Sequence, residues 1–364
     1  MKRRQFLTSA AGTAAVGAAA AGFPAPAIAQ DRIEWTMVTS WPKNAPGVGV
    51  NAQRCADLIT ALSGGRLTVN LYAAGELVPP FEAFDAVSSG TADLLHATPY
   101  YWQGKNPVFH WFTGVPFGLT AAEFTGWIYY GGGQELWDEA YAPFGVKPFY
   151  AGNSGVQAGG WFTRELTGLA DLRGLKFRIA GLGGAVMQKL GANVVLTPPG
   201  EIFAALQSGA VDAAEWVGPW NDLAFGLHQI AKYYYMPAFH EAGPSLEVSV
   251  NRARYDELPE DLRQIVAAAA TATATTTLAD FTFHNIQSLG PLVEEHGVQL
   301  RRWPDDIAAA LGTATREVLS EIAAGNAEAG KVHDSFAAYL AKARTYSLWS
   351  DQALLEMREK ALAT

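Results

Sequence analysis

One fifteen-residue pattern occurs twice in this chain, 119 positions apart. Pro79-Pro80-Phe81-Glu82-Ala83-Phe84-Asp85-Ala86-Val87-Ser88-Ser89-Gly90-Thr91-Ala92-Asp93 aligns with Pro198-Pro199-Gly200-Glu201-Ile202-Phe203-Ala204-Ala205-Leu206-Gln207-Ser208-Gly209-Ala210-Val211-Asp212, and eight of the fifteen positions are identical. Each copy reads as one structural unit. A proline pair opens a helix where the missing N–H does no harm. Glu82 or Glu201 complements the helix dipole in the first turn. Gly90 and Gly209 then stop the helix before a short apolar strand. Two such units predict two similar α/β lobes with a cleft between them. A chance likeness of two helix–glycine–strand segments is the weaker reading, because offset, caps and the terminal aspartates all agree.

Residues 1–29 read as a targeting segment rather than as part of the fold. Lys2-Arg3-Arg4-Gln5-Phe6-Leu7, an Ala/Gly-rich apolar run and Pro26-Ala27-Ile28-Ala29 have the layout of a twin-arginine export signal. The run is too short and too rich in glycine for a membrane anchor. The expected location of the mature chain is therefore the periplasm. Cleavage after Ala29 removes three basic residues and no acid, taking the net charge from −9 to −12. That acidic exterior argues against nucleic acid and anionic membrane as partners. An acidic protein that binds an anion must do so with a local cationic site, so single arginines are worth following.

Cys55 is the only cysteine. Together with Val48, Ala52, Ile59 and Leu62 it marks one apolar helix face, so it reads as buried rather than catalytic. The seven histidines (96, 110, 228, 240, 284, 296, 333) show no H-x-x-x-H or C-x-x-C spacing, and sequence spacing therefore gives no support to a zinc site.

Along the mature chain, Ile33, Trp35 and Met37 alternate with polar residues as a first strand, the Cys55 helix follows, and Leu67, Val69 and Leu71 form a second strand. This is a βαβ start with a right-handed crossover. The first repeat comes next. A strand near 146–150 leads to Asn153-Ser154-Gly155-Val156-Gln157, and strands near 161–164 and 175–180, a helix near 185–190 and the second repeat follow. The chain returns near 247–251. Residues 260–289 read as one long helix, and 304–322, 326–344 and 351–362 as three more. The expected fold is thus α/β, a two-lobe clamshell with a long connecting helix and C-terminal helices. Lobe I comprises 30–152 plus about 247–290, lobe II 153–246, and a C-terminal helical region about 291–364. The crossings near 152 and 246 are the hinge candidates.

Ligands of open α/β sheets bind beyond the carboxyl ends of the strands. That rule selects Tyr100 and Tyr101 in the first lobe and Arg178, Glu215 and Trp216 in the second, with Gln157 just after a crossing. Arg178 offers a planar fork matched to a carboxylate, or equally a structural pair with an acid such as Asp171. The Gly181-Leu182-Gly183-Gly184 turn lacks the full dinucleotide pattern and reads as a strand-to-helix turn. Glu215 lies between Ala214 and Trp216 at the end of an apolar strand. It is open to three readings: cation ligand, salt bridge or simple exposure. Gln157 and Glu241 are further oxygen donors, and an oxygen-only set suits Ca²⁺ or Na⁺.

At these residues the chain resembles the extracytoplasmic solute-binding proteins of tripartite ATP-independent periplasmic (TRAP) transporters over nearly the whole mature length. The markers are Gly75-Glu76-Leu77-Val78-Pro79, Gly155-Val156-Gln157, Leu175–Arg178 and Gly209–Trp216. Glu215-Trp216-Val217-Gly218-Pro219 with Tyr233-Tyr234-Tyr235 resembles the branch that binds 2-oxo acids and lactate. The resemblance implies the periplasmic-binding-protein clamshell. It further implies that Arg178 clamps a substrate carboxylate and that Gln157 touches both substrate and cation. Glu215, the Trp216 carbonyl and Glu241 would complete the shell of a Na⁺ or Ca²⁺ ion. Asn153, Tyr100, Tyr101 and Trp216 would line the substrate pocket. Where relatives read Trp-Glu-Gly-Gly this chain has His240-Glu241-Ala242-Gly243, a departure at the last acid. The function so implied is a non-catalytic receptor. It delivers a small 2-oxo or 2-hydroxy monocarboxylate to membrane permease subunits, with a homodimer through an exchanged C-terminal helix. The alternative from another class is a secreted oxidoreductase or lyase using the same cleft.

Overall fold

The structure is a computed structural model that describes residues 32–363; the export-signal reading of 1–29 lies outside them. Eleven strands form two sheets among the described residues. They are β1 (Ile33–Thr39), β2 (Leu67–Tyr72), β3 (Leu94–Ala97), β4 (Val146–Asn153), β5 (Gly160–Phe162), β6 (Lys176–Arg178), β7 (Asn193–Val195), β8 (Ala213–Ala214), β9 (Tyr233–Tyr235), β10 (Ser245–Asn251) and β11 (Gln299–Arg301). The first sheet runs β2-β1-β3-β10-β4 and the second β11-β9-β5-β8-β6-β7.

The repeat occupies equivalent places in the two sheets. Pro79 and Pro198 share one backbone conformation (φ −55°, ψ 148° and φ −55°, ψ 151°). Each is followed by a short helix, Ala83–Ser88 or Ile202–Gln207. Gly90 and Gly209 leave these helices in the left-handed region at φ 78° and 70°, which favours glycine. Asp93 Oδ2 accepts the Thr36 N–H at 2.7 Å, and Asp212 Oδ2 accepts the Lys176 N–H at 3.0 Å. Each aspartate also returns its own N–H to the carbonyl of the same partner. The last residue of the pattern therefore clamps its strand to the parallel neighbour, β3 to β1 and β8 to β6.

The chain leaves the first sheet along β4 and returns along β10. These two strands are antiparallel partners, with Asn153 opposite Ser245. The helix Glu260–Glu294 makes a third passage. Arg54, on the helix Val48–Leu62, is 3.3 Å from its Asp280. Farther along, His284 stacks on Trp220 and Asn285 Oδ1 accepts the Trp220 N–H at 3.0 Å. This helix runs past 289 and includes Pro291 in its last turn.

One expectation needs correcting. The region from about 291 onward is not purely helical, because β11 pairs in parallel with β9 and forms the edge of the second sheet. Three residues are too few to show a period of two. The helices Asp305–Gly325, Ala327–Ser347 and Asp351–Leu362 follow. The first is tied to the second sheet's side by Lys189–Glu317 at 3.2 Å. The next is tied to the opposite side by Trp127 Nε1 donating to Ser335 at 3.2 Å. Cys55 is fully buried, and burial pushes its thiol up to about 11.

Candidate functional site

The site lies where strand ends of both sheets meet the β4–β10 crossing. A cavity of about 20 Å³ is lined by Trp41, Thr98, Tyr100 and Tyr101 from the first lobe and by Trp216 and Val217 from the second. Ser154, Gln157, Glu241, Pro244 and Ser245 come from the crossings. That volume holds roughly one water-sized sphere. The lobes touch directly around it: the Trp41 and Trp216 rings are 6.3 Å apart, and Asn221 Nδ2 donates to the Pro46 carbonyl at 2.7 Å. The arrangement is a closed cleft. A depression of about 930 Å³ beside Asp57, Thr68 and Tyr72 lies on the outer edge of β2, away from these groups. Volume alone does not locate the chemistry.

Arg178 ends β6 and is 1 % exposed, whereas Lys176 on the same strand face is exposed. The strand is short enough that its first residue reaches solvent and its third reaches the cleft. The guanidinium is held from two sides. Nη1 donates to the Glu215 carbonyl at 2.7 Å and to Glu215 Oε2 at 3.0 Å. Nε and Nη2 donate to the Thr197 carbonyl at 3.3 and 3.1 Å. Asp171, the other acid considered, pairs with Arg164 instead. Four of five N–H donors are used. The plane also sits 5.9 Å from the Trp216 ring, within the range of a cation–π contact.

Glu215 follows β8 and occupies the place that His96 holds in the first repeat. Oε2 is spent on Arg178, while Oε1 is buried with no hydrogen-bond partner among the described residues. Gln157 donates its amide to Ser154 Oγ at 2.9 Å, and its Oε1 has no partner among the described residues. Trp216 Nε1 and both ring nitrogens of His240 are in the same condition. A buried polar atom left unpaired costs about 1–3 kcal/mol, and native interiors contain few of them. Their concentration at one junction marks a place built to meet a polar partner. Glu241 is also buried. Burial first, then the Glu215 charge, holds its carboxyl well above the usual range, against the opposing influence of Tyr100 and Arg178. Two buried carboxylates side by side call for a positive partner. Donor atoms of Glu215, His240 and Glu241 lie within 4.8 Å of one another, so the set fits a metal ion.

Tyr100 and Tyr101 both reach the cavity. Asn153 stands behind it: its amide donates to the Gly243 carbonyl at 2.9 Å and its Oδ1 accepts the Gly155 N–H at 2.8 Å, fixing the crossing loop. The glycines after Arg178 are explained by close approach. A Cβ on Gly181 would stand 3.0 Å from the Tyr100 ring, and one on Gly183 would stand 2.6 Å from His240 Cβ. Sequence reasoning missed Trp41, Thr98, Ser154 and His240 as cleft residues. Trp41 lies just beyond β1, so the rule that selected Tyr100 would have found it. His240 had no local spacing to announce it.

The sequence pattern of bacterial extracellular solute-binding protein, family 7 (DctP), matches residues 37–326. The chain is similar to the monocarboxylate 2-oxoacid-binding periplasmic protein of Nostoc sp., 38 % identical over 343 residues, which is 93 % of this chain and 94 % of that one. Its fold is similar to a TRAP periplasmic solute-binding protein of Pseudoalteromonas atlantica with bound sodium and pyruvate (TM-score 0.87, 38 % identity, 89 % of this chain and 99 % of the other). It is also similar to a TRAP solute-binding protein of Bordetella bronchiseptica (TM-score 0.89, 32 % identity, 91 % and 98 %). That structure is a mixed-occupancy dimer with calcium and picolinate in one site and the other site apo.

Proposed function

The chain belongs to the DctP family of bacterial extracellular solute-binding proteins, the solute receptors of TRAP transporters; from that premise we propose that its cleft binds a small 2-oxo monocarboxylate of pyruvate type together with one cation. The observation that supports this most is the cluster of buried polar atoms at the lobe junction with no partner among the described residues: Gln157 Oε1, Glu215 Oε1 and Trp216 Nε1 beside the Glu241 carboxyl. The first two oxygens, a Glu241 oxygen and the Trp216 carbonyl would hold the ion. The ligand's carboxylate and 2-oxo oxygen would complete its shell from the other side. With Ca²⁺ the charges of ion, Arg178, two glutamates and ligand balance, while Na⁺ leaves one negative charge over. Electrostatics therefore favours the divalent ion.

Arg178 acts here as the positive wall of the pocket. Most of its fork is fixed by Glu215 and Thr197, and the remaining Nη2–H is directed to the ligand carboxylate. Trp41, Tyr100 and Tyr101 close the apolar side. A ligand of several atoms cannot enter about 20 Å³ unless the lobes part. Opening about the Asn153–Ser245 crossing admits it, and ligand contacts from both lobes favour the closed state. The closed receptor then docks on the permease in the periplasm, and the ligand leaves chemically unchanged. Copies pair through the C-terminal helix Asp351–Leu362, which has no buried residue of its own while Trp349, Leu354 and Met357 are exposed.

Thermal unfolding against a panel of monocarboxylates tests this reading. Stabilisation by 2-oxo acids, removed by EDTA if the ion is divalent, is expected because a ligand of the native state raises stability with the logarithm of its concentration over Kd. No shift with any 2-oxo or 2-hydroxy acid sinks the substrate class, and product accumulation would sink the non-catalytic reading. A monomer mass by light scattering removes the dimer.

A further inference from the structure

We infer that His240 adds an imidazole nitrogen to the oxygens of Glu215 and Glu241, so that this cleft also holds a borderline divalent cation such as Zn²⁺ or Co²⁺. The inference rests on the cation site proposed above and concerns which ions that site selects. The His240 ring is 1 % exposed, and neither of its nitrogens has a hydrogen-bond partner among the described residues. Nε2 stands 3.8 Å from Glu215 Oε1, too far for a hydrogen bond. Donors around a four-coordinate zinc stand roughly 3.4 Å apart, given ligand distances of about 2.0–2.2 Å. The 3.8 Å gap is therefore close to a bridged pair, and a Glu241 oxygen lies within 4.8 Å of both donors.

The ring is also held in place. Gly183 leaves just enough room for its Cβ, and the Phe239 ring lies 5.1 Å away. The same loop is anchored to Gln157 by two backbone bonds, Gln157 N–H to the Glu241 carbonyl at 3.2 Å and Ala238 N–H to the Gln157 carbonyl at 2.8 Å. Because His240 and Glu241 are adjacent, one segment brings nitrogen and oxygen donors to Glu215 together. Arg178 occupies only Oε2 of Glu215 and leaves Oε1 to the ion. Oxygen-only shells suit Na⁺ and Ca²⁺, whereas imidazole suits zinc, cobalt and copper.

The test uses chelator-treated full-length mature protein, titrated with Zn²⁺, Co²⁺ and Ca²⁺ in wild type and His240→Ala. The ratio of Zn²⁺ to Ca²⁺ affinity is expected to fall at least tenfold in the variant. His228 and His296 stand 4.2 Å apart elsewhere and are another place for zinc, so the difference between wild type and variant is the quantity read. Wild-type protein loaded with one equivalent of Cu²⁺ should show nitrogen superhyperfine coupling from one imidazole. This readout needs no variant if His240→Ala fails to fold. An unchanged affinity ratio, or a copper spectrum without nitrogen coupling, overturns the assignment. Pyruvate binding with Ca²⁺ is measured alongside. Its presence with an unchanged ratio overturns His240 and leaves the receptor standing. Its absence, with His240-dependent zinc binding, retains the metal site and removes the receptor's substrate.

Discussion

Arg178 and Glu215 form a buried salt bridge at the junction where the ligand is proposed to bind. The sequence left salt bridge and ligand site as rival readings. The structure pairs the two residues and leaves Glu215 Oε1 without a hydrogen-bond partner among the described residues, where the cation is proposed to sit. Removing one partner of such a pair leaves the other charge buried, at a cost of about 3–5 kcal/mol. Arg178→Ala should therefore lower the melting temperature of the ligand-free protein as well as abolish carboxylate binding. Arg178→Lys keeps the charge but loses the planar fork; it should weaken pyruvate binding at least tenfold with a smaller loss of stability. Unaltered affinity in the lysine variant would take Arg178 out of the ligand's reach. Tyr100, Tyr101, Gln157, Trp216 and Glu241 all reach the cleft because they follow strand ends or border the crossing, which a sequence shows. His240 was not legible, since Glu215, the acid it faces, lies 25 positions away in sequence and no spacing rule spans that.

At the scale of elements, the repeat was the most legible part of the chain because its caps are local chemistry. Proline, glutamate, glycine and aspartate each act within a few residues, and both copies adopt the same turns. Gly90 and Gly209 have almost nothing near an added Cβ, so alanine at either would report backbone strain alone. Each substitution should cost about 1–2 kcal/mol by urea unfolding. A change below a few tenths at both sites would contradict the left-handed stop. The strand β11 was not legible. Its place depends on pairing with β9 across more than sixty positions of chain, and its three residues leave no periodic trace.

For the whole molecule, the crossing strands must be strong enough to transmit closure. Glu247, on β10 between β3 and β4, is fully buried, and burial pushes its carboxyl up to about 8, against the Ser249 and Tyr141 hydroxyls. In the unfolded chain this group ionises near 4.5. The unfolded state thus releases the proton first, and stability present below pH 4.5 declines as pH rises toward 8. Glu247→Gln should raise the melting temperature more at pH 8 than at pH 5. An equal change at both pH values would contradict the buried neutral acid. The two-lobe plan could be read from the sequence through the duplicated unit. The direct lobe contacts Trp41–Trp216 and Asn221–Pro46 could not, because they exist only once both lobes are built.

The most direct measurement is calorimetric titration of pyruvate into chelator-treated protein, with Ca²⁺ or Na⁺ added back and propionate as the analogue lacking the 2-oxo oxygen. One site per chain is expected, dependent on a cation and at least tenfold weaker for propionate. Pyruvate binding that ignores the cation and the 2-oxo oxygen, or no binding with either ion, would contradict that expectation.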